Sequence, residues 1–139
     1  MKQIVVSFIM GLSLISMHCG NASSVSKPVP ENNFAEIKFR TQDGQMGQIP
    51  AKGKSDINFT FSNTGNAPLT LTEVIGTCHC VYTDWSKTPV NPGDSAVIKV
   101  TFDPEGVAGL FIRTVIVRSN AKTDSLQLKI SGEAMATPK

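Results

Sequence analysis

Apolar residues recur at every second position through most of the chain. Ile57, Phe59 and Phe61 alternate with Asn58, Thr60 and Ser62. Ala96, Ile98, Val100 and Phe102 alternate with Val97, Lys99 and Thr101, and Leu126, Leu128 and Ile130 with Gln127 and Lys129. A strand sends successive side chains to opposite faces, so this period predicts half-buried β-strands. Residues 110–117 are apolar on both faces, which predicts a central strand covered on both sides. Segments 34–39 and 69–75 complete the set, with a short strand at 46–49. No segment combines a helical period, caps and sufficient length.

The breaks between these segments carry turn chemistry. Asn63-Thr64-Gly65-Asn66-Ala67-Pro68 divides two strands. Asn91-Pro92-Gly93-Asp94 has proline then glycine, the order of a type II turn: proline presets φ and glycine accepts a positive one. Asp103-Pro104-Glu105-Gly106 is a further turn, and 119–123 a polar loop. About seven short strands spaced by turns over about 100 residues predict an all-β fold, an immunoglobulin-like antiparallel β-sandwich. The Cys…Trp…Cys spacing of antibody domains is absent, because Trp85 follows both Cys78 and Cys80.

The first residues read differently. Lys2 precedes the apolar run 4–17, the order of a secretory signal peptide. That run is shorter than the ~20 residues a spanning helix needs. Gly20 and Ala22 place small residues for cleavage after Ala22, giving a signal peptide at 1–22. The alternative is a signal of 1–18 with Cys19 lipidated, although His18 departs from the small residue a lipobox carries. Residues 23–33 read as a flexible tether, 34–134 as the sandwich and 135–139 as a tail. The expected location is outside the cytoplasm, in the periplasm or lipid-anchored to a bacterial envelope membrane. Removing 1–22 takes Lys2 and no acid, so the formal charge falls from +2 to +1. The sequence holds no basic patch for nucleic acid, and membrane contact is expected only through a lipid on Cys19. The expected partner is an unidentified envelope protein or polymer.

The chemistry on offer is sparse. His79 is the only histidine after the signal, and no phosphate-binding glycine loop, H-E-x-x-H or paired-carboxylate motif occurs. No catalytic residue is assigned and no enzyme activity is expected. One sharp feature is Cys78-His79-Cys80. On a strand, both sulfurs share a face and His79 points away. Two extended rises separate the cysteine Cα atoms by about 6.6 Å, the upper edge of disulfide geometry. A disulfide therefore needs a turn at 76–77 or strain, and its three-residue ring is worth only about 1.6 kcal/mol in chain entropy. Three readings stay open for Cys78 and Cys80: a structural pair, a thiol-redox pair, and a soft-metal site for Cu(I) or Zn(II), which His79 joins if a turn brings it round. No other cofactor is expected. Tyr82 and Trp85 are candidate binding-loop aromatics. Asp94-Ser95-Ala96 and Asp124-Ser125-Leu126 match the Asp-Ser-aliphatic acceptor of O-glycosylation in some envelope-rich bacteria; otherwise both tripeptides only start strands.

Several of these residues form one longer pattern: Phe59 to Leu69 (F-x-F-x-N-T-G-x-x-P-L), Cys78/Cys80, Trp85, Pro89 to Gly93, Phe102 to Gly106, and Ser119/Asn120. The string resembles the bacterial exported family known as domain of unknown function 1573, which is similar to Hydin-like (ASH) and major-sperm-protein sandwiches. The resemblance implies a sandwich fold and a cell-envelope location, and no known activity. Two positions depart from the pattern. His79 stands where a small residue is usual between the cysteines, and Gln45-Met46-Gly47 stands where the lead-in usually reads Asp-Phe-Gly.

Overall fold

The computed structural model describes residues 33–136. The signal peptide, Cys19, nearly all of the tether and residues 137–139 lie outside them. Eight strands follow in chain order: β1 (Ile37–Phe39), β2 (Asp43–Pro50), β3 (Ser55–Asn63), β4 (Leu71–Gly76), β5 (Val81–Trp85), β6 (Ser95–Phe102), β7 (Gly109–Ser119) and β8 (Ser125–Met135). They form two four-stranded sheets ordered β1-β3-β6-β5 and β2-β8-β7-β4. The fold is the expected immunoglobulin-like sandwich, and no helix occurs among the described residues.

The period-two faces meet between the sheets. Phe59, Phe61, Ile98, Val100 and Phe102 come from one side, and Leu71, Val74, Val115, Val117, Leu128 and Ile130 from the other, all buried. The Phe102 and Phe111 rings meet across the gap at 4.3 Å between centroids. Burial of this kind stabilises by roughly 25 cal/mol per Å² of apolar surface.

Three expectations need correction. First, β5 is an eighth strand. Its sequence Val-Tyr-Thr-Asp-Trp is rich in β-branched and aromatic strand formers but only five residues long, and it pairs in unbroken register with β6 from Val81↔Phe102 to Trp85↔Ile98. Second, the sandwich is not wholly antiparallel. The chain crosses between sheets after β1, and β2 runs parallel to β8 with a register shift at Gln45/Gly47. Gly47 takes φ +65° there, a conformation that favours glycine. Third, β7 is central but not covered on both faces. Phe111, Val115 and Val117 are buried, whereas Leu110 and Ile112 are 86% and 64% exposed.

The turns follow their chemistry. Asp94 N–H donates to Asn91 O (3.0 Å) around Gly93 at φ +86°. Val107 N–H closes onto Pro104 O (3.0 Å) over Glu105 and Gly106, both at positive φ, with Asp103 Oδ1 accepting from Glu105 N–H. On the outer face, Lys99 pairs with Asp56 at 2.9 Å. The hydrogen bond from Lys99, then that from Thr101, holds the Asp56 carboxyl below its usual range.

Candidate functional site

Cys78, His79 and Cys80 lie in the turn that carries the chain from the edge of one sheet (β4) to the edge of the other (β5). Val81 N–H donates to Cys78 O at 3.3 Å, closing a turn over His79 and Cys80. The segment is therefore not extended, strand parity does not hold there, and His79 sits exposed at the turn. Turning brings the cysteine Cα atoms to 5.3 Å, inside disulfide range, and the two sulfurs are bonded. Gly76 permits this. A Cβ there would lie 2.5 Å from Val81 Cβ, so any side chain would push β4 and β5 apart.

The turn is also fixed without its sulfurs. Thr77 donates to Thr114 O through both its N–H (3.0 Å) and its hydroxyl (3.1 Å), and Asp103 N–H donates to Cys80 O at 2.9 Å. One end is thus tied to β7 and the other to the end of β6. Replacing both cysteines by serine is expected to cost no more than about 1.6 kcal/mol in denaturant unfolding. A loss above about 3 kcal/mol would mean that the disulfide, not these bonds, organises the corner. Among the described residues no group of three or more His, Cys, Asp or Glu is placed to hold a metal ion.

Tyr82 and Trp85 are on β5 rather than in a loop, and three residues apart they face opposite sides. Tyr82 is on the outer face, 49% exposed, with Lys54 Nζ 4.6 Å from its ring centroid. Trp85 faces inward, packs against the core and carries Lys87 over its ring at 3.0 Å. The two rings do not form one stacking platform.

The sheet edges differ in how they are protected. β1 has only three residues. β2 has its register shift, Gly47 and Pro50. β4 has a register shift at Leu71/Glu73, and its Val74 carbonyl accepts from Thr83 Oγ1 at 2.7 Å. Among the described residues, only β5 is a regular edge. Asp103 N–H bonds Cys80 O, so antiparallel alternation turns the backbone groups of Tyr82 and Asp84 toward β6 and those of Thr83 and Trp85 to the open side.

Asn63, the last residue of β3, is a structural residue and not only a turn former. It is fully buried. Its Nδ2 donates to Ala67 O (2.7 Å) and Val90 O (2.9 Å), and its Oδ1 accepts from Gly65 N–H (3.0 Å) and Glu36 N–H (3.4 Å). Gly65 lies under the backbone of 34–36, where a Cβ would not fit. Asn120 does similar work: its Nδ2 donates to Pro68 O (3.0 Å) and its Oδ1 accepts from Thr70 N–H (2.8 Å). The N-T-G and S-N parts of the sequence pattern are thus polar clasps at one end of the sandwich.

Comparison with known proteins agrees with this architecture. A protein of unknown function from Porphyromonas gingivalis W83 has a similar fold, at a TM-score of 0.63 and 19% identity, over 71% of this chain and 46% of that one. The present chain therefore spans under half of that protein. The seventh ASH/PapD-like domain of human CEP192 matches at a TM-score of 0.63 and 12% identity, over 84% of this chain and 97% of that domain. The secreted serine protease VesC from Vibrio cholerae matches at 0.52 and 18%, over 77% of this chain and 24% of its own. No curated protein matches. The profile of the family described as protein of unknown function (DUF1573) matches residues 37–134, from the first residue of β1 into β8, and the chain belongs to that family.

Proposed function

We propose that this protein is an exported, non-catalytic module of the bacterial cell envelope that accepts an extended segment of a partner protein along the β5 edge. The observation that carries the reading is the contrast among the edges: β1, β2 and β4 are short, irregular or capped, and β5 is regular. Unpaired strand edges bind extended peptides through main-chain hydrogen bonds, with side-chain pockets adding selectivity. The leader pattern, Lys2 followed by 4–17, supports export.

A photo-crosslinking residue in place of Tyr82 tests the reading in intact cells. It is expected to give a discrete envelope-protein adduct, and the same residue in place of Lys38 on β1 is not. Thr83→Pro removes an outward N–H without touching the β6 ladder and is expected to abolish the adduct. Thr83→Val, which removes only the hydroxyl, is expected to keep it. Identical adducts from Tyr82 and Lys38, or none from either, would count against the proposal.

A second reading rests on the formed Cys78–Cys80 bond. Both residues are only partly buried against the core, so an external thiolate has a path to sulfur. In this reading the pair takes two electrons and two protons from a dithiol partner, and only then offers thiolates to a soft ion such as Cu(I). Thiol titration after mild reduction decides it, since a bond that stays closed rules it out.

A further inference from the structure

We propose that Ser95 and Ser125 are acceptors for O-linked glycans, one on each sheet at the same end of the sandwich. Two of the six aspartates in the chain, Asp94 and Asp124, are followed by serine and an aliphatic residue. The structure gives the two tripeptides the same setting. Each serine is the first residue of a strand, β6 or β8, and each is exposed. Each preceding carbonyl accepts a backbone bond from the neighbouring strand at 3.0 Å, Asp94 O from Asn63 N–H and Asp124 O from Ser119 N–H. Ala96 and Leu126, the residues that follow, are both half-buried. The Asn63 and Asn120 clasps both hold the 67–70 segment, which places the two sites at one end.

Asp43 pairs with Lys129, Asp56 pairs with Lys99, and Asp103 caps Glu105 N–H. The carboxylates of Asp84, Asp94 and Asp124 have no such partner among the described residues, and neither do the hydroxyls of Ser95 and Ser125, so both side chains of each tripeptide are open to an enzyme. Each serine also borders a shallow depression, polar at Ser125 and mixed at Ser95, where Phe39 and Phe61 line it with the polar side chains. The one at Ser95 is about 510 Å³, beside Lys38, Arg40 and Ser62; the one at Ser125 is about 440 Å³, beside Thr72 and Arg118. Both leave space for a first sugar without moving backbone.

The donor class is a glycan carried on a polyprenyl diphosphate, and the catalyst is an envelope glycosyltransferase rather than this chain. Serine Oγ attacks the anomeric carbon and forms the new C–O bond. The bond from that carbon to the diphosphate breaks, polyprenyl diphosphate leaves, and the hydroxyl proton passes to a base of the transferase. A bulky glycan at this end leaves the Cys78–Cys80 turn, beside Asp103 at the far end of β6, uncovered.

The inference rests on the export reading, and one preparation separates the two. The protein is purified from fractionated native cells and its intact mass and peptide map are recorded. Envelope protein with mass increments on the peptides bearing Ser95 and Ser125, released by alkaline β-elimination, is expected. Ser95→Ala and Ser125→Ala are each expected to remove one increment, and the double variant both. Asp94→Asn and Asp124→Asn, which preserve side-chain size, are expected to lose the same increments. Envelope protein without increments on these peptides overturns the glycan proposal and leaves export standing. Increments that survive either pair of substitutions also overturn it. Cytoplasmic protein with its leader attached overturns both. An acyl group on Cys19 maps to the N-terminal peptide and is not confused with either site.

Discussion

Asn63→Leu is expected to lower stability by about 4 kcal/mol, a fall of roughly 15 °C or more in Tm for a domain of this size. Leucine keeps the branching of asparagine, so no cavity forms, but its larger methyl groups replace an amide 2.7 Å from Ala67 O and add overpacking to the lost polar bonds. The side chain serves two carbonyls, Ala67 O and Val90 O, and two amides, those of Gly65 and Glu36. A buried polar group left without a partner costs roughly 1–3 kcal/mol, and water has to enter the clasp to relieve more than one or two of the four. The clasp joins the lead-in to β1, the 64–68 turn and the approach to β6, so its loss spreads. Thr64→Ala, next along the chain, removes a single exposed bond to Glu36 (2.9 Å) and is expected to cost under about 1 kcal/mol. Equal losses from the two variants, measured by thermal and denaturant unfolding, would show that Asn63 acts only as a turn former.

That residue also shows where the sequence was legible and where it was not. Period-two alternation exposes β3, β6 and β8 directly, because each has one face on the core and one in solvent. Pro92-Gly93 declares its turn through φ alone. β5 carries strand-forming residues but only five of them, so its assignment depends on the pairing with β6. The exposure of Leu110 and Ile112 escaped because an apolar run does not say which face another layer covers. At Cys78 and Cys80 the spacing was legible but the local backbone was not. The strand reading put His79 opposite the sulfurs, and the turn removes that constraint. In the sequence Asn63 shows only a preference for turns; its burial depends on Val90 and Glu36, 27 residues away in either direction.

Phe59→Ala is expected to cost about 3–5 kcal/mol, the range for truncating a fully buried ring. The more informative result is its coupling with Gly44. Phe59 belongs to β3 in one sheet and Gly44 to β2 in the other, so their contact spans the sandwich. A Cβ on Gly44 would lie 2.6 Å from Phe59 Cζ and 2.7 Å from Ile57 Cδ1. Gly44→Ala alone is therefore expected to cost about 1–3 kcal/mol by overpacking. In the Phe59→Ala background the ring is gone and only the end of Ile57 has to move. There the same methyl is expected to be nearly neutral, or to recover part of the lost packing. The double-mutant cycle should give a coupling of at least about 1 kcal/mol, well outside the ~0.5 kcal/mol scatter of independent sites. Additive losses would mean that β2 adjusts freely over β3. A large coupling would mean that the ring fixes where the chain crosses after β1, and with it the parallel register of β2 on β8.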